Sequence, residues 1–219
     1  MCYRVLGIPR THTKLLLHAD GTHNSTVFTD EVGHVMAAYG NTRIVTNQSV
    51  FGGTCAYLDG SGDYLSTTNC SDWTFGTNDF TIELRVRFAV LPGIVTLIGS
   101  HDASSTGGWA IVNNTTPANS LQFHALTGMK MDSRITVSAN RWYHVAVTRA
   151  SGIGYLFVDG RLLSCVTLTN NLSSPWRLTL GATTDGLQYL SGYLDEVRIL
   201  KGYAKWTGDF VVPQKANRY

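Results

Sequence analysis

Glutamate is scarce in this chain: only Glu31, Glu83 and Glu196 occur. Hydrolysis of a glycosidic bond usually requires two carboxylates a fixed distance apart, and the three glutamates are isolated from one another. Asp195 and Glu196 are adjacent, which on a regular strand sends them to opposite faces. No Gly-x-Ser-x-Gly elbow, HExxH or phosphate loop is present, so an enzyme is not expected. Clustered positive charge is missing too. Seventeen Lys and Arg against fifteen Asp and Glu leave a net charge of +2, too balanced for the basic stripe that a nucleic-acid partner requires. The four cysteines, Cys2, Cys55, Cys70 and Cys165, have no CxxC or metal-finger spacing. Cys55 and Cys70 flank an expected hairpin and could approach each other; the alternative is that they stay reduced as small buried residues. Apolar runs are short. None reaches membrane-spanning length, so no membrane insertion is expected. The opening MCYRVLGIPRTHTK lacks the apolar core of a secretory signal, and release by another route, such as lysis, is the expectation if the protein acts outside a cell.

What is abundant is glycine, with 22 residues, and aromatics, with 10 Tyr, 8 Phe and 5 Trp. Few charges, many glycines and many aromatics suit short strands joined by tight turns. The stretch Phe80–Phe88 (FTIELRVRF) is the clearest element. Phe80, Ile82, Leu84, Val86 and Phe88 alternate with Thr81, Glu83, Arg85 and Arg87, and because successive strand side chains point to opposite faces this reads as a central strand with one buried and one wetter face. Further strands are expected at 14–18, 43–46, 55–59, 64–67, 94–100, 109–113, 121–126, 135–137, 142–149, 154–159, 161–167, 178–181 and 192–200. Two hairpins stand out, one turning at Gly60-Ser61-Gly62 and one at Asp159-Gly160. Residues 22–42 read as a surface excursion with one short strand at most. WYHVAVTR at 142–149 is apolar on both faces, as suits a strand between two layers. Residues 201–219 read as a tail packing through Tyr203, Trp206 and Phe210. A dozen or so strands without helical period or internal repeat imply one all-β domain, a two-sheet antiparallel β-sandwich or jelly roll. Residues 1–13 form a polar arm ahead of that domain, which runs from 14 to 219.

The order of motifs resembles the laminin-G-like, concanavalin A-like lectin-glucanase jelly-roll family. The matching pieces are LLLHADG at 15–21, FGGTCAYLDGSGDYL at 51–65, NDFTIELRVRF at 78–88, RWYHVAVTR at 141–149, LFVDG at 156–160 and GYLDEVRILKGYAKWTGDFVVP at 192–213. The opening LLLHADG with TVFTDEVGH, and the KGYAKWTGDF ending, are similar to the version found in tailed-phage tail fibres and other exposed virion proteins. The resemblance implies a virion-surface protein, in tail or capsid decoration, that adheres to surface polysaccharide. It also implies a homo-oligomer, with a trimer favoured, docked to other virion proteins through the 1–13 arm. The alternatives are a purely structural decoration or adaptor subunit, and a secreted carbohydrate-binding module. Relatives tend to carry an aromatic at the position of Arg85, so this strand departs from the family by losing a stacking face.

Site candidates follow from residue type and place. Trp109, after Gly107-Gly108, and Tyr189, in a Gly-bounded loop, are the aromatics least accounted for by packing, beside Trp73 and Trp206; with Arg85 and Asn113 they are the candidate glycan-binding residues. No cofactor is required. Calcium is the candidate ion, since it takes carboxylates and carbonyls from loops: Asp59 and Asp63 flank Gly60-Ser61-Gly62, with Asp20 and Asp195 as further ligands. Asp before Gly is equally what a tight turn wants, and Asp195 is expected to pair with an arginine of the closing strand. Glu83 is expected to pair with its same-face neighbour Arg85 as a solvated or partner-facing ion pair, and His144 to be a structural core residue.

Overall fold

A computed structural model describes residues 10–68, 71–91, 93–104, 107–115, 119–125 and 128–218. Among these, a short 3-10 turn at Arg10–His12 leads into sixteen strands. In chain order they are β1 (Thr13–Leu17), β2 (Phe28–Thr29), β3 (Val35–Tyr39), β4 (Arg43–Val45), β5 (Cys55–Asp59), β6 (Tyr64–Ser66), β7 (Phe80–Phe88) and β8 (Val95–Ser100). There follow β9 (Trp109–Asn114), β10 (Ser120–Ala125), β11 (Gly128–Thr136), β12 (Trp142–Ala150), β13 (Ile153–Val158), β14 (Arg161–Thr167), β15 (Thr179–Leu180) and β16 (Ser191–Lys201). They form two antiparallel sheets. The first runs β14-β13-β12-β7-β16-β5-β4, with β1 also paired to β16; the second runs β11-β10-β9-β8-β15-β6-β3-β2. The excursion at 22–42 thus supplies two strands, β2 and β3, that extend the second sheet, and the strand expected at 135–137 is the end of the longer β11.

β7 sits in the middle of the first sheet, between β12 and β16. Its apolar residues Phe80, Ile82, Leu84, Val86 and Phe88 are all fully buried in the core between the sheets. Phe80 stacks on Phe75 at 4.4 Å and meets Phe123 of β10 at 6.1 Å. Arg149, also fully buried, caps this corner by donating to the carbonyls of Gly76, Asn78 and Asn170, with its guanidinium over the Phe80 ring.

The polar face of β7 differs from the sequence reading. It is neither solvated nor open to a partner, because the tail from Gly202 to Arg218 lies across it. Thr81 Oγ1 donates to Tyr203 O and accepts from Lys205 N (both 2.9 Å), Thr148 Oγ1 donates to Trp206 O (2.6 Å), and Arg85 Nη2 donates to Pro213 O (2.7 Å). Trp206 and Phe210 stack on each other at 3.8 Å and both stand edge-on to the His144 ring. Glu83 is therefore buried, and its partners are not Arg85. Arg198 of the adjacent β16 donates Nε at 2.7 Å and also Nη2, Lys205 Nζ reaches the same oxygen at 3.2 Å, and His144 Nε2 meets the other at 3.1 Å. Burial pushes the Glu83 carboxyl up, but the bond to His144 and the charges of Arg198 and Lys205 outweigh it and hold the group well below the usual carboxylate range.

A bulge in β16 produces a second departure. Asp195 pairs with Arg85 and Arg198 with Glu83, so two residues of β16 oppose Leu84 alone, and Glu196 takes a φ of 52°. Val197 enters the core, while Glu196 joins Asp195 in contacting chain on the outer side: it accepts from Asn217 N of the tail at 2.6 Å and meets His18 Nδ1 at 2.7 Å. Among the described residues the Asp195 carboxylate forms no ion pair with an arginine side chain. Its Oδ2 accepts from Val50 N (2.7 Å), and its buried Oδ1 has no hydrogen-bond partner among the described residues. Burial and the neighbouring Glu196 charge outweigh the amide bonds and push its carboxyl up to about 7. Cys55 is a free thiol donating to Gln48 O at 2.8 Å; the approach to Cys70 lies outside the described residues, as do residues 1–9 of the arm.

Candidate functional site

Three of the four candidate glycan residues are built into the structure rather than presented on it. Trp109 is 1% exposed; its ring packs on Phe75 at 5.0 Å and its Nε1 donates to Trp73 O at 2.8 Å. It sits at an inward position of β9, where the alternation Trp109, Ala110, Ile111 puts it in the core beside Ile111. Asn113 is fully buried on the same strand, and Arg85 lies under the tail with its guanidinium over Phe51. Tyr189 alone stands near an open surface, its hydroxyl donating to Gly186 O at 2.6 Å.

The calcium candidates are likewise committed. Asp63 accepts from Asn41 N (2.5 Å) and Asp59 N (2.8 Å), one bond to each oxygen, and Asp59 accepts from Asn41 Nδ2 and Ser61 N. These carboxylates hold the 59–63 turn together. Asp20 accepts from Thr54 Oγ1 at 3.1 Å, and Asp195 anchors the 50–51 loop. Among the described residues no three His, Cys, Asp or Glu side chains converge as a metal site would require.

A cleft of about 630 Å³ lies over β3 and β6 of the second sheet. Its floor includes Ala37 and Tyr39 of β3 and Ser66 of β6, and its walls are lined by Pro175, Trp176 and Arg177 and by Asp102, Thr184 and Asp185. Period-two alternation explains the floor: Met36 and Leu65 turn into the core, which sends Ala37 and Ser66 the other way. Tyr39 stacks face to face on Tyr64 at 4.3 Å, so its ring is held in place. The walls are tied to each other by Arg177 Nη2 donating to Thr184 O at 2.9 Å. Thr184 N and Oγ1 both donate to His101 O, and Ala103 N donates to Asp185 Oδ1 at 3.1 Å. The bond from Tyr189 braces the same 184–186 turn from behind. Trp176 Nε1 and Arg177 Nε are shielded from solvent with no partner among the described residues.

Such a volume is in the range of small-ligand sites. Aromatic faces of Tyr39 and Trp176 offer stacking area, and the guanidinium and carboxylates offer directional hydrogen bonds. The sequence reading missed this site because its residues come from five separated segments. One local signal existed: Ser-Pro-Trp-Arg at 174–177 places an aromatic and a cation on a proline-stiffened loop, a conspicuous arrangement outside any strand.

Among solved structures, the binding domain of Paraclostridial Mosquitocidal Protein 1 superposes with a TM-score of 0.67 at 14% identity, covering 87% of this chain and 49% of that one. Domain 4 of an extracellular GH43 arabinanase from Geobacillus stearothermophilus, in complex with arabinotriose, superposes at 0.65 with 16% identity, covering 88% and 96%. A chain of botulinum neurotoxin type C, whose route into the cell depends on interaction with two ganglioside molecules, gives 0.62 and 16%, covering 87% and 48%. The present chain thus spans about half the length of those toxin chains. No curated protein matches it. Residues 59–205, more than half of the chain and including every wall of the cleft except β3, match the model for the concanavalin A-like lectin/glucanases superfamily, and the chain belongs to that superfamily.

Proposed function

We propose that this protein is a non-catalytic glycan-binding domain and that the cleft between Trp176 and Asp185 is its ligand site. The observation carrying this reading is the joining of two aromatic side chains, Trp176 and Tyr39 (its ring stacked on Tyr64), with the polar groups of Arg177, Asp102 and Asp185 around one open cleft. Sugars need that combination, because their C–H faces stack on aromatic rings while their hydroxyls demand hydrogen bonds. The arabinotriose complex and the ganglioside-dependent toxin add support, as proteins of the same fold that engage carbohydrate. A non-catalytic role fits the placement of the acids. Glu83 is sealed under the tail and held ionised, and Asp195, whose carboxyl is raised, lies buried under the 50–51 loop and outside the cleft lining, whereas a glycosidase acid must be held protonated at the scissile bond.

The domain is further proposed to be carried on a virion surface, in tail fibre or head decoration, as an oligomer docked through residues 1–13; a purified chain of monomeric mass would remove the oligomer part. Glycan-array binding by the purified chain tests the main reading. The expected outcome is saturable binding that falls at least ten-fold in Trp176→Ala. No bound glycan at all, or equal binding by the variant, would overturn it.

A further inference from the structure

Resting on the reading of the cleft as a glycan site, we infer that its ligand is a neutral sugar chain offering adjacent hydroxyls, and that acidic sugars are excluded. The cleft carries two carboxylates and one guanidinium along its walls. The guanidinium donates Nη2 to Thr184 O and its Nε is shielded from solvent, so the side-on Nε–Nη fork that recognises a carboxylate bidentately is closed to a ligand. The two carboxylates, Asp102 and Asp185, line the same cleft. Asp102 Oδ1 accepts from Ser104 Oγ at 2.8 Å and Asp185 Oδ1 from Ala103 N at 3.1 Å. Each therefore commits one oxygen to the 103–104 segment, which orients the side chain, and the second oxygen is the acceptor that a sugar hydroxyl would use.

The same arrangement repels an anion. A sialic or uronic acid seated between Trp176 and the 102/185 wall would bring its carboxylate near two like charges with only one shared cation to offset them. Repulsion between unit charges a few ångströms apart at a partly shielded surface is comparable to a ten-fold or larger change in affinity. Among the described residues no other cationic side chain lines the cleft. Its aromatic part is equally indifferent to charge, since Tyr39 and Trp176 supply stacking area alone.

The experiment compares the intact chain on neutral polysaccharides (arabinan, galactan and mannan) and acidic ones (polygalacturonate and polysialic acid) by affinity electrophoresis and calorimetry, at low salt where charge effects are strongest. Binding to at least one neutral polymer, at least ten-fold tighter than to either acidic polymer, is expected. Asp102→Asn and Asp185→Asn, checked for unchanged melting temperature, should narrow that gap by removing the repulsion. Binding of an acidic polymer as tightly as any neutral one overturns this inference and leaves the glycan reading standing. Failure of both classes to bind overturns the glycan reading, and the inference with it. A preference that persists unchanged in the double Asn variant also overturns it, because the discrimination would then have another source.

Discussion

Glu83 shows how a single side chain can be misplaced by correct local reasoning. Its alternation is right, its ionised state is right, and its partner is not Arg85 but Arg198 across the strand, with Lys205 and His144. Removing one member of a buried charge cluster leaves the others unpaired, at a cost of about 3–5 kcal/mol. Glu83→Gln is therefore expected to lower stability by about that much in urea unfolding; a loss under about 1 kcal/mol would mean that water reaches the cluster. Asp195 makes the opposite case. Its carboxyl, raised to about 7, binds a proton more readily folded than unfolded. Its contribution to stability is thus fully present below the unfolded value of about 4 and lost as pH rises through 7. His18, raised by its bond to Glu196, acts in the same direction above its usual 6.5, whereas Glu83 contributes above about 4.5 and fails as pH falls. The wild type should accordingly be most stable near pH 5 and weaken toward pH 8. Asp195→Asn should remove part of that decline and be more stable than wild type at pH 8, by ~2 kcal/mol. Parallel melting curves of variant and wild type between pH 5 and 8 would refute the Asp195 account.

At the scale of elements, the tail decides what the outer face of the first sheet is. A central strand carrying Thr81, Glu83, Arg85 and Arg87 would be an ordinary wet face if the chain ended at Lys201. Instead Trp206 and Phe210 roof His144, and Gly160 lets the tail approach: a Cβ there would meet Phe210 O at 2.1 Å, at a φ of 78° that only glycine takes easily. Trp206→Ala is expected to cost about 2–4 kcal/mol, since it removes half-buried aromatic area and opens the Glu83 cluster to water. Chemical denaturation measures the loss. A variant within about 0.5 kcal/mol of wild type would make the tail an ornament on a self-sufficient sheet. Of the two expected hairpins, one forms. Asp159-Gly160 joins the paired strands β13 and β14, but Gly60-Ser61-Gly62 carries the chain from β5 in the first sheet to β6 in the second, and these two strands do not pair. Turn chemistry fixes a reversal of the chain, not which strand lies alongside.

At the scale of the molecule, the sandwich separates structural from binding residues more cleanly than residue type does. Trp109 and Trp176 both follow or precede loop-like sequence, yet one fills the core and the other walls a cleft. Trp176→Ala should therefore leave the melting temperature within about 2 °C of wild type while abolishing glycan capture, whereas Trp109→Ala would unfold much of the second sheet. The sequence alone determined the strand alternation, the Asp159-Gly160 hairpin, the inward row from Phe80 to Phe88 and the superfamily, because period-two patterning and turn chemistry are local. Only the tertiary structure decided which polar rows are sealed and which are open. A strand pattern says that two faces differ; what lies against the second face depends on residues far away in the chain. Here that meant the tail over Glu83, the bulge that turned Glu196 outward, and the meeting of Tyr39, Asp102, Trp176 and Asp185 around one cleft.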